Sequence, residues 1–225
     1  LWFVLFFTSV VIFVYMLFFA DSGERAIVQG VLMGAVVSVI LTMLVLLQFL
    51  DNPSPALRKR LLLHMNAWGE HANVQFAETR DVGMVRVARL NHPPDDAGFW
   101  SYIGTEILGI EDDQPTMNLE GFTMRTAESE FLRVVRHEAG HTLGFEHEHM
   151  RSDLVKRIDR RKAIVYYKKN DDWSAAETEE QVLTPLKTRS LMGTAESDPL
   201  SIMCYQIPAE ITKDGKAIAG GTDIN

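Results

Sequence analysis

Charged residues are absent from two long stretches at the start of the chain and frequent after them. Residues 1–20 and 26–50 contain no Asp, Glu, Lys or Arg, and a short charged segment, 21–25, separates them. A helix rises about 1.5 Å per residue and the hydrocarbon core of a bilayer is about 30 Å thick, so each stretch is long enough to cross it. The pattern therefore predicts two transmembrane helices that form a hairpin in the lipid bilayer.

Two other structures are compatible with an apolar start. A signal peptide needs a basic beginning, a shorter apolar stretch and a cleavage site of small residues, and no second apolar stretch follows it. A hairpin buried inside a soluble protein is the other alternative. The length of both stretches and the shortness of the charged break favour the transmembrane hairpin over either of them.

The pattern changes to that of a soluble domain after the second stretch. Residues 51–55 include two prolines and predict a linker, and residues 56–225 are numerous enough for one hydrophobic core. Apolar residues recur at helical spacing in 56–71, which predicts an amphipathic helix. They mark strands in 73–78 and 84–90, so the domain is expected to be of the α+β class.

Composition excludes one class of partner and restricts the covalent chemistry. The 225-residue chain has a formal net charge of −8, and its basic residues form no stripe that could neutralise phosphates. We therefore expect no binding of nucleic acid. Cys204 is the sole cysteine of the sequence, so no disulfide can form within the chain.

The most specific motif runs from His137 to His147 and has the spacing of a metal site. His137 and His141 are four residues apart, so on a helix both imidazoles point from one face at a single ion. Gly144 can end that helix at positive φ and turn the chain back, so that His147 supplies a third nitrogen. Three protein ligands leave a tetrahedral zinc with one open position, as in catalytic sites. Glu138 is placed to accept a proton from a water in that position.

Two further residues could bind the same ion. His149 lies two residues beyond His147, but the three-residue step after Gly144 favours His147. Cys204 could bind as a thiolate, although its side chain points away if that of Tyr205 points in. The predicted metal ligands are His137, His141 and His147.

Further segments carry a resemblance to a known family. The motif continues as G-F-E-H-E-H at 144–149, and S-I-M-C-Y at 201–205 is similar to the methionine turn beneath the zinc of metzincins. Three more segments are W-S-Y-I-G at 100–104, P-T-M-N-L at 115–119 and I-P-A-E at 207–210. On these residues the chain resembles the astacin-like metzincin peptidases, and in particular their disulfide-free bacterial members, from about residue 56 to the end.

The resemblance implies a metzincin-type fold, with a mixed sheet and an active-site helix followed by an irregular half that carries the methionine turn. It implies one catalytic zinc ion on the three histidines, with Glu138 as the general base for a zinc-activated water. Tyr205 would be a displaceable ligand that stabilises the oxyanion, Met203 a hydrophobic floor, and Glu148 a contact for a processed amino terminus. The implied function is that of a zinc metalloendopeptidase. A peptide or protein substrate is expected to add as a strand along 116–119.

Other functions fit less well. In membrane-hairpin zinc peptidases the third ligand is a distant Glu, which leaves the spacing of Gly144 and His147 unexplained. An intramembrane protease would carry the motif inside an apolar span, and here the motif is far from both. A non-catalytic metal-binding or partner-binding domain, or a fused reading frame, is the remaining alternative.

The apolar start also bears on location. Segments 20–25 and 50–53 resemble the C-terminal end of an uncharacterised bacterial membrane-protein family. The chain begins with Leu and stops soon after Gly220, so we expect a fragment at both ends and a truncated peptidase domain. The basic residues 58–60 follow the second predicted span, whereas the hairpin turn has Arg25 alone. The positive-inside rule therefore favours an integral membrane protein with a cytoplasmic catalytic domain, and the absence of disulfides agrees with this placement.

Overall fold

The computed structural model describes residues 42–90, 97–187 and 193–224. The predicted span 1–20 and all of the second predicted span up to residue 41 lie outside these residues. Within the described ranges, no helix is both long enough and apolar enough to cross a membrane.

A five-stranded sheet organises the first half of the domain, in the order β2-β1-β3-β5-β4. The strands are β1 (Met43–Phe49), β2 (Val74–Glu78), β3 (Val85–Ala88), β4 (Phe99–Ser101) and β5 (Met117–Leu119). Strand β3 pairs in parallel with β1 and with β5, whereas β4 runs antiparallel to β5. The sheet is therefore mixed, as expected for the α+β fold.

Strand β1 corrects the predicted second membrane span. Val45 and Leu47 are 1% and 0% exposed, whereas Leu44 and Leu46 between them are 51% and 38% exposed. This alternation is that of a strand with one buried face. The sequence concealed it because the exposed face also carries leucines, so the run looked uniformly apolar. The span predicted over 26–50 is thus wrong in its last residues.

The predicted linker, 51–55, is also corrected, because it joins β1 to the next helix within the domain. Asp51 Oδ2 lies 2.7 Å from Arg89 Nε, in the segment that follows β3. Ser54 caps helix α1 (Pro55–Met65), its side chain accepting a backbone N–H at 3.3 Å. The folded domain therefore includes residues 43–55, which the sequence pattern had placed before it.

Helix α2 lies beside the sheet and is not uniform. It begins as Glu128–Glu130, widens to a π-helical segment at Phe131–Val135 and continues as Arg136–Thr142. Phe131, Val135 and Ala139 are fully buried in one core with residues of the sheet and of α1. This face of α2 is packed in the core. Residues elsewhere on the helix, among them His137 and Glu138, line the cavity described below.

The second half is irregular and mostly helical, as expected. It contains α3 (Ser152–Val155), α4 (Arg160–Asn170) and α5, which starts as Ala175–Thr178 and ends in a π-helical turn, Glu179–Leu183. Ser174 and Glu177 cap α5 reciprocally, so the S-A-A-E segment at 174–177 forms a capping box. A second core lies here, and its fully buried members include Ile158, Val182, Ile207 and Ile218.

The two faces of β1 give a direct test of the strand. Leu47→Ala is expected to lower the free energy of unfolding by about 2–5 kcal/mol, because it opens a cavity in the core. Leu46→Ala, on the exposed face of the same strand, should change it by less than about 1 kcal/mol. Urea unfolding of residues 42–225 followed by circular dichroism measures both. Equal costs for the two substitutions would contradict the strand.

Candidate active site

Helix α2 ends in a turn that glycine completes. Gly144 has φ of 97°, which L side chains rarely adopt. Phe145 N–H donates to Gly140 O at 3.1 Å and Gly144 N–H donates to His141 O at 2.8 Å. These two bonds are the Schellman pattern of helix C-termini. The chain returns so that His147 Nε2 lies 3.0 Å from His141 Nε2, which confirms the role predicted for Gly144.

Three histidines converge at this end of α2. The ligand nitrogens of His137, His141 and His147 all lie within 4.8 Å of one another. His137 Nδ1 is 2.7 Å from Ile202 O, and His141 Nδ1 is 2.7 Å from Phe145 O. An imidazole that donates Nδ1–H to a carbonyl keeps its lone pair on Nε2, and such carbonyls orient the histidines of metal sites. This set of nitrogen donors fits a zinc ion.

The electrostatics of the cluster keep these imidazoles neutral. Burial, together with the charge of the neighbouring His141, lowers the pKa of His137 to about 3. Burial likewise lowers the pKa of His141 and of His147. A neutral imidazole has a free lone pair, whereas a protonated one has none, so the folded domain presents metal-binding forms at neutral pH.

The two alternative ligands point elsewhere. His149 Nε2 lies 2.8 Å from Gln181 O, and His149 is outside the histidine cluster found among the described residues. Cys204 Sγ is directed at the Tyr205 carbonyl oxygen, 3.6 Å away. Burial raises the pKa of this thiol to about 12, so it is not a thiolate at neutral pH.

Glu138 is a buried carboxyl group beside the cluster. It is 5% exposed, and its Oε2 has no hydrogen-bond partner within the part of the protein described. Burial raises its pKa to about 8, and the charge of Arg133 opposes this rise. Its cavity, of about 420 Å³, is also lined by His137 and Tyr205. A buried acceptor with no partner in the protein is therefore open to a reacting molecule.

Tyr205 packs on the cluster from the methionine turn. Its ring centroid lies 4.4 Å from that of His147 and 4.3 Å from that of His149. Burial raises the pKa of its hydroxyl, so the phenol stays protonated and can donate a hydrogen bond at neutral pH. The structure thus places Glu138 and Tyr205 in one cavity with His137, and brings the Tyr205 ring against that of His147.

Gly140 is a residue of this site that the sequence analysis missed. A Cβ there would lie 2.5 Å from Met203 Sδ and 2.8 Å from Trp68 Cζ2. The missing side chain therefore lets Met203 and Trp68 pack directly against α2 at a position that lies between His137 and His141 in sequence. A glycine inside a helix costs roughly 1 kcal/mol relative to alanine, and this cost is a sequence signal that could have indicated a close packing contact.

The strand predicted to receive substrate is not at an edge. Met117 of β5 pairs with Val87 of β3 on one side and with Ser101 of β4 on the other. The segment 116–119 therefore has no free edge, and that prediction is wrong. The last strand of the sheet is β4. Its Phe99 lines the cavity that contains Glu138, so β4 is the edge beside the site.

Glu148 has partners within the domain. Its Oε1 accepts the backbone N–H of Asp198 at 2.8 Å, and Arg151 Nη1 is 3.9 Å from the same oxygen. The contact with Asp198 holds the carboxylate against the segment that precedes the methionine turn. The contact with a processed amino terminus that the family resemblance implies stays a prediction.

Three convergent histidines lie beside a buried carboxyl group and a phenol, a set of residues that fits the site of a zinc hydrolase. A family model agrees: the model of the astacin peptidase family matches residues 42–207. The chain therefore belongs to the astacin family. The match begins one residue before β1, which supports the corrected start of the domain.

Individual proteins show the same relationship. The chain is 34% identical over 97 residues to zinc metalloproteinase nas-27 of Caenorhabditis elegans, which covers 43% of this chain and 19% of that protein. It is also similar to a structure of myroilysin, with 26% identity, a TM-score of 0.74, and 83% of this chain and 91% of that one covered. A crystal structure of myroilysin gives a TM-score of 0.57 at 26% identity, with 82% of this chain and 79% of that one covered. The chain thus spans about a fifth of the curated relative and most of the solved one.

Proposed function

We propose that this protein is a zinc metalloendopeptidase that hydrolyses peptide bonds of peptide or protein substrates. The observation that carries the proposal is the cluster of three histidine nitrogens within 4.8 Å, next to a buried carboxyl group without a protein partner. Membership of a peptidase family supports it. The direct test is cleavage of casein or of a quenched fluorescent peptide by the purified chain, with and without a zinc chelator.

Each residue of the site has a proposed role. His137, His141 and His147 bind the metal. Held by these three neutral imidazoles, a zinc ion would supply Lewis acidity towards the scissile carbonyl and would lower the pKa of water towards neutrality. Glu138 takes the proton of the attacking water and gives it to the leaving amine. Its raised pKa suits this work, because a proton shuttle is most effective when its pKa is close to the operating pH.

Tyr205 and β4 are proposed to bind the reacting peptide. The Tyr205 hydroxyl donates to the oxygen on which negative charge develops, a contact that stabilises the transition state more than the ground state. The peptide backbone adds as an extended strand to the free edge of β4, next to Trp100. Phe99, Tyr167 and Trp173 line the cavity beside Glu138, so a substrate side chain that enters it meets aromatic rings.

Attachment to a membrane through the residues before β1 is a further part of the proposal. Residues 1–20 and 26–42 contain no charged side chain. Since β1 takes the residues from Met43, the second stretch is at the short end of the roughly 20 residues that a spanning helix needs. The basic residues 58–60 belong to α1, so their place in the sequence is explained by the fold of the domain as well as by the positive-inside rule. We retain the cytoplasmic placement of the domain as the hypothesis to be tested.

Fractionation and protease protection test this placement. The chain is expected to sediment with membranes and to be released by detergent, whereas a variant that starts at residue 42 should stay in the supernatant. In spheroplasts, external protease should digest the domain only after lysis. Digestion without lysis would show that the domain faces outward, and an unattached full chain would refute the membrane anchor.

A further inference from the structure

His149 lies against Tyr205 but outside the metal cluster. It is 0% exposed. Its ring and that of Tyr205 are stacked, with centroids 4.3 Å apart and planes 14° apart. Nε2 lies 2.8 Å from Gln181 O, and a carbonyl oxygen can only accept, so Nε2 carries the hydrogen. Nδ1 is then the acceptor that faces the Tyr205 backbone N–H, 3.5 Å away.

The partner of His149 is a carbonyl that its own helix cannot satisfy. Gln181 lies in the π-helical turn that ends α5. Four residues on, the donor position is Pro185, which has no N–H, and the next N–H, that of Leu186, donates to Met150 O at 2.9 Å. His149 therefore supplies the donor that this carbonyl needs, and the contact fixes the imidazole ring in position.

We propose that His149 is a positioning residue that holds the Tyr205 phenol over the metal site by ring stacking. The ring of His149 is anchored on α5, and the ring of Tyr205 rests on it, so the hydroxyl is kept where Tyr205 lines the cavity with Glu138. The inference rests on the proposed function, in which Tyr205 donates to the oxyanion. The free energy of a stacked aromatic pair corresponds to a change of about 2- to 10-fold in an equilibrium or rate constant, and we expect kcat to change by such a factor when the ring is lost.

Two variants of the full chain separate the ring from the hydrogen bond. His149→Gln keeps a donor for Gln181 O but has no ring, whereas His149→Phe keeps a ring but has no donor. We expect His149→Gln to lower kcat about 2- to 10-fold with little change in KM. His149→Phe should retain most of the kcat of the parent chain, because it keeps a ring. Zinc content should stay at one per chain in both, because neither side chain is a ligand.

The role of Tyr205 is tested by repeating both substitutions in a Tyr205→Phe background. Tyr205→Phe alone is expected to lower kcat about a hundredfold or more, as for loss of an oxyanion donor. His149→Gln should then cause no further loss, since the hydroxyl it positions is gone. His64→Gln is the matched control, because His64 is also buried, at 2% exposure, but packs on Phe131. It should leave kcat unchanged.

The outcomes distinguish failure of the inference from failure of the proposed function. An unchanged kcat in His149→Gln, or the same loss with and without the Tyr205 hydroxyl, overturns the positioning role. If His149→Gln does not fold, a loss of more than tenfold in a folded, zinc-loaded His149→Phe overturns it instead. No cleavage by the parent chain refutes the proposed function and the inference with it. Full activity of Tyr205→Phe refutes the oxyanion role of Tyr205 and the inference, but leaves the peptidase activity standing.

Discussion

Glu138→Gln is expected to retain the metal and to remove nearly all peptide hydrolysis. The amide has almost the same shape as the carboxylate but cannot take a proton from water, and loss of general-base catalysis lowers a rate by about 10²- to 10⁴-fold. The cavity should not rearrange, because Glu138 Oε2 makes no hydrogen bond within the described part of the protein. Turnover of a quenched peptide and elemental analysis of the same sample measure the two effects.

Glu146 provides the matched control for this substitution. It lies in the same motif, but it lines a different cavity, with Trp68 and Met203, and not the one that contains Glu138. Glu146→Gln should therefore keep kcat within about twofold, as expected for a change away from the reacting groups. Cleavage by Glu138→Gln at the parent rate would refute the general-base assignment. Loss of zinc from Glu138→Gln would instead assign the residue to the metal site.

Removal of the metal is expected to abolish activity and to lower thermal stability. The purified chain should contain one zinc ion, and alanine at any of the three cluster histidines should release it. The three histidines are brought together only by folding, so loss of the metal also removes the stabilisation that a ligand of the folded state provides. Chelation should reproduce both effects, and added zinc should reverse them. Elemental analysis, peptide cleavage and a thermal unfolding curve follow the changes.

The exposed His71 is the control for these substitutions, since it follows α1 and is not part of the cluster. His71→Ala should keep both the zinc and the activity. Zinc that stays bound after His137, His141 and His147 have all been replaced would place the metal elsewhere. A folded chain that binds no zinc would refute the cofactor, and with it the peptidase mechanism.

The metal site could be predicted from the sequence because its geometry is local. The spacing of His137 and His141 follows from the pitch of one helix, and the turn at Gly144 from the freedom of glycine at positive φ. Interactions that span about ten residues leave a pattern in the chain itself. The capping box at Ser174 and the apolar face of α1 were predictable for the same reason.

Features that join distant segments required the folded structure. The apolar run of β1 has the composition of a membrane helix, and its strand period appears once Val45 and Leu47 are seen to be buried and Leu46 exposed. Strand order depends on which segments pair across the sheet, so no local pattern shows that β4, and not β5, is the edge.

The contacts that hold the site residues in position also join segments that are distant in the sequence. His137 is oriented by Ile202 O, 65 residues away, and His149 by Gln181 O, 32 residues away. A backbone carbonyl is present in every residue, so its use as a hydrogen-bond partner leaves no mark in the amino-acid sequence. The residues that do the chemistry were therefore visible in the chain, whereas the groups that hold them in place became visible through packing.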